Sequence, residues 1–187
     1  RFVKSIDEGE DEFGLNETFI EWLRPFFQFL YHQYFRVDTV GVNHVPSKAP
    51  AIIVGNHSGT LPYDGTMVNL AVYNEGKAKR YARFLVDDFV YKVPLLGKFI
   101  TLTGGISASQ ENAMRLLERG HLIAVFPEGV KGVSKTYDQR YQLERFGRGG
   151  FVRLAIRTGC PIIPTAIIGA EEIHPLIWKS KSLAQHI

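Results

Sequence analysis

Residues 51–65 read AIIVGNHSGTLPYDG. The apolar run closed by Gly55 has the length and boundary of a buried strand, and a polar group just past such a strand stands where open α/β sheets place their chemistry. His57 is therefore the first candidate for a catalytic base. Six residues separate it from Asp64. Were the whole stretch helical, the two Cα atoms would lie about 10 Å apart, so an imidazole–carboxylate contact requires the loop to fold back. Gly59 and Pro62 permit this, because glycine accepts left-handed turns and proline suits the first position of a helix. Asp64 then falls in a first helical turn, among unpaired N–H groups and the positive end of the macrodipole. From there it can hold one ring nitrogen of His57 and set its tautomer. The same residues also read as a strand-end histidine capping backbone groups beside an acidic helix start.

A second stretch tips the balance. Residues 121–129 read HLIAVFPEG, an apolar run broken by Pro127 and followed by Glu128 and Gly129, and residues 161–169 read PIIPTAIIG. In this order and spacing the pieces resemble the glycerolipid and lysophospholipid acyltransferase superfamily, over roughly Val45 to Glu172. The resemblance implies a phosphatidate-forming acyltransferase-like fold. It also implies transfer of an acyl group from acyl-CoA or acyl carrier protein to a hydroxyl of a glycerolipid or lysophospholipid. His57 is then the general base, with no covalent intermediate, and Asp64 orients it, with Glu128 as the alternative orienting group. In the family the block Phe126, Pro127, Glu128 and Gly129 more usually helps bind the acceptor. Lys131, the basic residue one spacer later, is assigned to an anionic group on acceptor or coenzyme. Asn56, Ser58 and Gly59 complete the binding set, and the amides of Gly59 and Gly129 are the candidates for facing a developing oxyanion.

The chain also departs from the family pattern. The first block has six spacers where four are usual, and GGISASQ at 104–110 lacks the arginine associated with a phosphorylated acceptor. The monoacylglycerol acyltransferase-like branch, with less charged acceptors, is the closer likeness. Two other functions are weighed: a lipid hydrolase using Ser58, although GNHSG lacks the glycine two residues before the serine of a nucleophile elbow, and a non-catalytic lipid-binding membrane module.

Length and composition are consistent with this. The 187 residues, 45% hydrophobic, suffice for one domain with a core. A formal charge of +3 is a mild basic excess that suits anionic headgroups or coenzyme phosphates and gives no reason to expect a nucleic-acid partner. Cys160 is the single cysteine, so no internal disulfide forms. The six histidines show no ligand spacing, so neither a metal nor a cofactor beyond the acyl co-substrate is expected. Oligomeric state is not readable from the sequence.

Along the chain, Asp7 to Glu12 carries five acidic residues. From Asn16 to Val37 aromatic and apolar residues recur at helical spacing, capped by Asn16, with Pro25 expected to kink or split the helix. Such a helix can lie in a membrane interface, so residues 1–36 are read as an acidic start plus an interfacial amphipathic helix. Residues 37–187 form the acyltransferase domain, which stops while still helix-like and is expected to continue. No apolar run approaches the ~20 residues of a spanning helix. The protein is thus expected to be membrane-associated and peripheral on the cytoplasmic face. Strands are predicted at 37–42, 51–55, around 82–88, at the Phe-Pro-Glu-Gly run and at 161–169, the last at a sheet edge or bulge because of Pro164. Helices are predicted after Asp64 to about Asn74, over Phe89 to Ile100 with interruptions, over Gln110 to Arg119, and over Gly150 to Thr158. The alternation argues for an α/β fold with a mixed, largely parallel central sheet flanked by helices.

Overall fold

The computed structural model describes residues 10–58, 61, 63–147 and 149–178. The acidic residues before Glu10, Gly59, Pro62, Arg148 and the tail from residue 179 lie outside the described residues.

Five strands, β1 Ala51–Gly55, β2 Ala82–Val86, β3 Gly105–Ser107, β4 Leu122–Val125 and β5 Ile162–Thr165, form one sheet in the order β3-β2-β4-β1-β5. The α/β reading holds, with every ladder parallel rather than some antiparallel. The connections explain it: helical crossovers α2 Tyr63–Glu75, α3 Leu96–Leu102, α4 Gln110–Glu118 and α6 Gly150–Thr158 return the chain to the same end of the sheet each time. The central strands are apolar on both faces, as parallel sheets covered by helices require. Ile52, Val54 and Ile123 pack with Leu116 and Leu117 of α4 and Leu154 of α6. Ala51, Ile53, Leu122 and Ala124 face the other way, onto Val72 and Val68 of α2. β5 is an edge strand with Pro164 exposed, where a missing ladder donor costs little.

The N-terminal helix α1 Glu17–Phe29 begins where Asn16 Oδ1 accepts the Phe19 N–H at 2.8 Å. It runs through Pro25 unbroken and continues as a π-helical turn, Leu30–Tyr34, so the expected split does not occur. Contacts on both sides of Pro25 hold the segment against α2. Leu30 and Tyr31 pack on Met67, Leu70 and Ala71, the Gln28 and Asn74 side-chain amides bond reciprocally at 2.7 and 3.1 Å, and the Arg24 guanidinium lies 4.2 Å from the centre of the Tyr73 ring. Burial and the hydrogen bond given to Glu75 push the Tyr31 hydroxyl up to about 12. The opposite face leaves Trp22, Phe26, Phe29 and Tyr34 at least half exposed.

Three local expectations change. Val37–Val42 is not a strand: Val37 and Val42 pack at the margins of different core clusters while Val40 is exposed, and Gly41 at φ 81 turns the chain into a 3-10 turn, Val42–His44. The alternation there comes from an extended connector. The interrupted helix over 89–100 is a 3-10 segment Asp88–Lys92 and the separate α3, divided at Pro94 and at Leu95, whose φ is 64. The short strand β3, three residues long, was not expected, because so few residues show no alternation.

Candidate active site

The sheet order makes β1 and β4 neighbours, and their register pairs Val54 with Val125. His57 and Glu128 each lie three residues beyond that pair, at the carboxyl ends of the two central strands. Their loops meet: the His57 N–H donates to Glu128 Oε1 at 2.8 Å.

His57 and Asp64 meet despite the six spacers between them. Asp64, in the first turn of α2 and fully buried, has its Oδ2 at 2.5 Å from His57 Nδ1. The same oxygen accepts the Ser58 N–H at 2.9 Å, and Oδ1 accepts the Gly65 N–H at 2.7 Å. With donors on both oxygens the carboxylate acts only as an acceptor, which assigns the proton of the imidazole to Nδ1 and leaves the Nε2 lone pair free. The imidazole stacks on Phe126, centroids 4.7 Å apart and planes at 22°. Asp64 from one side and Phe126 from the other restrain a ring that is still 21% exposed. Between the two groups considered for orienting His57, Asp64 contacts the ring and Glu128 the main chain.

Glu128 is itself held. Its Oε2 accepts the Glu144 N–H at 2.7 Å and lies 3.5 Å from Lys135 Nζ. Lys135 is buried, forms an ion pair with Glu171 at 2.6 Å and donates to the Gln142 carbonyl at 2.9 Å. Gly132, in the short helical turn α5 Val130–Val133, lies directly beneath: a Cβ on it would come within 2.7 Å of the His57 carbonyl oxygen and 2.8 Å of Glu128 Cβ. Lys135, Glu171 and Gly132 escaped the sequence reading, since a lysine and a glycine in a polar loop carry no signal that they will be buried.

The remaining sequence candidates are placed as follows. The Asn56 amide brackets the Ile167 backbone, receiving its N–H at 2.7 Å and donating to its carbonyl at 2.9 Å, and so ties β1 to the segment after β5. Ser58 is 1% exposed and its hydroxyl has no partner among the described residues. The Gly129 N–H is taken by the Phe126 carbonyl at 2.9 Å, so it is not free to face an oxyanion, and Gly59 lies outside the described residues. Beside Glu128 an open recess of about 440 Å³ is lined by Pro127, Glu128, Val130, Lys131, Arg145 and Gly147. Lys131 and Arg145 are its exposed cations, and neither forms an ion pair among the described residues. Among the described residues no group of three metal-ligating side chains comes together.

The histidine–aspartate pair thus stands at the carboxyl end of a parallel sheet, next to a Phe-Pro-Glu-Gly turn. The acyltransferase family model matches residues 36–168, and the chain belongs to that family. It is 45% identical to an uncharacterized protein of Mycobacterium leprae over 94% of this chain and 48% of the relative. It is 44% identical to an uncharacterized protein of Mycobacterium tuberculosis over 96% of this chain and 50% of that protein. The chain thus spans about half the length of these relatives. The bovine DGAT1/2-independent enzyme synthesizing storage lipids is 30% identical over 66% of this chain and 36% of its own length. No solved structure matches the chain.

Proposed function

We infer that this acyltransferase-family protein moves a fatty acyl group from acyl-CoA or acyl carrier protein to a hydroxyl of a glycerolipid or lysophospholipid. The observation that carries the reading is the 2.5 Å contact between His57 Nδ1 and a buried Asp64, which leaves Nε2 as the acceptor on a partly exposed ring. Nε2 takes the proton of the acceptor hydroxyl as its oxygen attacks the thioester carbonyl. The carbonyl re-forms as the coenzyme or carrier thiolate leaves, and the proton on His57 is available to that thiolate. General-base help of this kind is worth roughly 10²–10⁴ in rate. The similarity to a storage-lipid-synthesizing enzyme favours an acceptor of glycerolipid type. Lys131 and Arg145, exposed at the recess beside Glu128 and without an ion pair among the described residues, are suited to an anionic group on the acceptor or the coenzyme. Direct transfer is favoured over a Ser58 acyl-enzyme because Ser58 is buried and its hydroxyl has no hydrogen bond to the imidazole.

No helix among the described residues is long and apolar enough to cross a membrane. The exposed aromatic face of α1 supports peripheral association with a membrane surface, and we propose the cytoplasmic side for it. The deciding experiment measures free thiol released from long-chain acyl-CoA, with and without glycerolipid acceptors, for wild type and His57→Ala. Acceptor-dependent release with matching product, lost in the variant, is expected. Release independent of acceptor would indicate a hydrolase, and no release with any donor would leave only lipid binding.

A further inference from the structure

Three loops converge on one buried cation. Lys135 follows α5, lies with its side chain 5% exposed, and stands between two carboxylates, Glu128 at 3.5 Å and Glu171 at 2.6 Å. Glu128 belongs to the turn after β4 and carries the main-chain N–H of His57 on one oxygen and that of Glu144 on the other. Glu171 belongs to the 3-10 turn Ala170–Glu172 after β5 and accepts the Tyr141 N–H at 2.5 Å. Lys135 also holds the Gln142 carbonyl at 2.9 Å, so the loop 134–144 is bound to both acidic turns through it. Arg140, Tyr137 and His174 border the small crevice that Lys135 and Glu171 line, and Lys131 and Arg145 border the recess on the far side of Glu128. Among the described residues none of these other cations lies within ion-pair distance of either carboxylate, so Lys135 supplies their nearest positive charge.

We propose that Lys135 is a positioning residue for the transfer reaction: its ammonium balances Glu128 and Glu171, and so keeps Glu128 clamped on the His57 main chain and the imidazole in register with Asp64. Without the ammonium the buried Glu128 and the largely buried Glu171 lose the cation between them and keep only main-chain N–H donors. The cheapest relief is for Glu128 to swing out or take up a proton, and either change releases the His57 N–H. Because the imidazole is fixed at Nδ1 by Asp64 on a different element, a shift of its backbone misaligns Nε2 without touching any substrate. Lys135 meets neither reactant in this scheme, so its loss acts on turnover rather than on donor affinity. The inference rests on the acyl-transfer reading.

The test is a pair of charge-removing variants read in two ways. Lys135→Met is expected to lower kcat on the order of 10–10² fold, the cost of a small misplacement, with KM for acyl-CoA changed by less than about threefold, and to speed hydrogen exchange at the His57 amide about tenfold or more through loss of its carboxylate partner. Lys135→Met combined with Glu171→Gln removes one charge of each sign, and is expected to bring kcat and the amide exchange back to within about threefold of wild type. If Lys135→Met alone does not fold, recovery of fold and turnover in the double variant reads the same way. A folded Lys135→Met protein with unchanged kcat and His57 exchange overturns the proposal, as does a double variant that fails to recover. Should wild type transfer no acyl group, the transfer reading fails by itself and the amide exchange decides the role of Lys135.

Discussion

Glu128 and His57 meet through a main-chain hydrogen bond of 2.8 Å, each three residues past the register pair Val54–Val125 of adjacent parallel strands. The acidic residue of the Phe-Pro-Glu-Gly turn therefore acts as a brace for the backbone that carries the imidazole. Glu128→Gln weakens that brace, because an amide has one acceptor oxygen where the carboxylate offers two and adds N–H donors facing the Glu144 N–H. Losing a charge-assisted bond at a buried site costs about 1.5–3 kcal/mol. A urea melt is expected to show that loss together with reduced turnover. A variant as stable and active as wild type would remove Glu128 from this role.

Asp64→Asn keeps the size of the side chain and removes the second acceptor oxygen. With Oδ1 and Oδ2 both receiving main-chain N–H groups as well as the imidazole, the amide cannot satisfy all three donors. Turnover is expected to fall by roughly 10²-fold or more, as general-base help is lost. KM for the acyl donor should move little. Steady-state kinetics with saturating acceptor decides it, and a loss confined to KM would count against the tautomer argument.

Gly132→Ala and Gly120→Ala should separate packing from backbone strain. A Cβ at 132 would stand 2.7 Å from the His57 carbonyl oxygen and 2.8 Å from Glu128 Cβ, whereas at 120 nothing lies within 4 Å and the penalty comes only from φ +83. Both are expected to lose stability, about 1–3 kcal/mol by overpacking at 132 and about 1 kcal/mol by strain at 120. Only Gly132→Ala should also lower kcat. Equal turnover in the two variants would show that α5 does not set the position of His57.

The end of the sheet opposite the site predicts an acid sensitivity. Burial, reinforced by Arg83, holds the His121 imidazole below its ordinary 6.5. Burial pushes the Asp11 carboxyl up, but Arg83, 2.5 Å away, and the N–H groups of Leu15 and Phe13 bring it below its ordinary 3.8. At both groups the unfolded chain binds more protons than the folded one, so stability rises with pH in each window. The His121 contribution is full above about 6.5 and is lost as pH falls through its folded value. The Asp11 contribution is full above 3.8 and is lost as pH falls through its own. Thermal melts of His121→Gln should show a flatter dependence than wild type just below neutrality. An unchanged slope would remove His121 as its source.

The α1 surface predicts vesicle binding. Trp22, Phe26 and Phe29 are exposed, while Phe27 packs into the seam with α2, so the informative variant changes the first three to alanine and keeps Phe27. Each large apolar side chain fully buried in the interface contributes about 1.5–3 kcal/mol. Flotation with anionic liposomes should carry wild type and leave the triple variant in the soluble fraction, with the same melting temperature. Equal flotation would place the membrane contact elsewhere.

The chemistry-bearing stretches were legible in the sequence. Ala51–Gly55 and Leu122–Val125 are apolar on both faces and bounded by glycine and proline, so composition alone marks them as buried strands with His57 and Glu128 at their ends. Asn16 marked a helix start because a cap depends on the two or three residues around it. Local signals misled at Val37–Val42, where the two valines make separate packing contacts rather than a strand, while at Pro25 packing on α2 keeps the helix from splitting despite a missing backbone donor.

The sequence by itself determined the two central strands, that a histidine and a glutamate stand past their ends, and that an aspartate opens the helix that follows the first of them. Which of those ends are neighbours was decided by the tertiary structure. The order β3-β2-β4-β1-β5 puts residues 57 and 128 side by side, Asp64 Oδ2 comes to 2.5 Å from His57 Nδ1 across six spacers, and loop 134–144 carries Lys135 between two acidic turns. The difference is one of range. Periodicity and capping depend on neighbours within a few residues, whereas strand order and the pairing of buried charges depend on contacts across the whole chain, which only the packed sheet brings together.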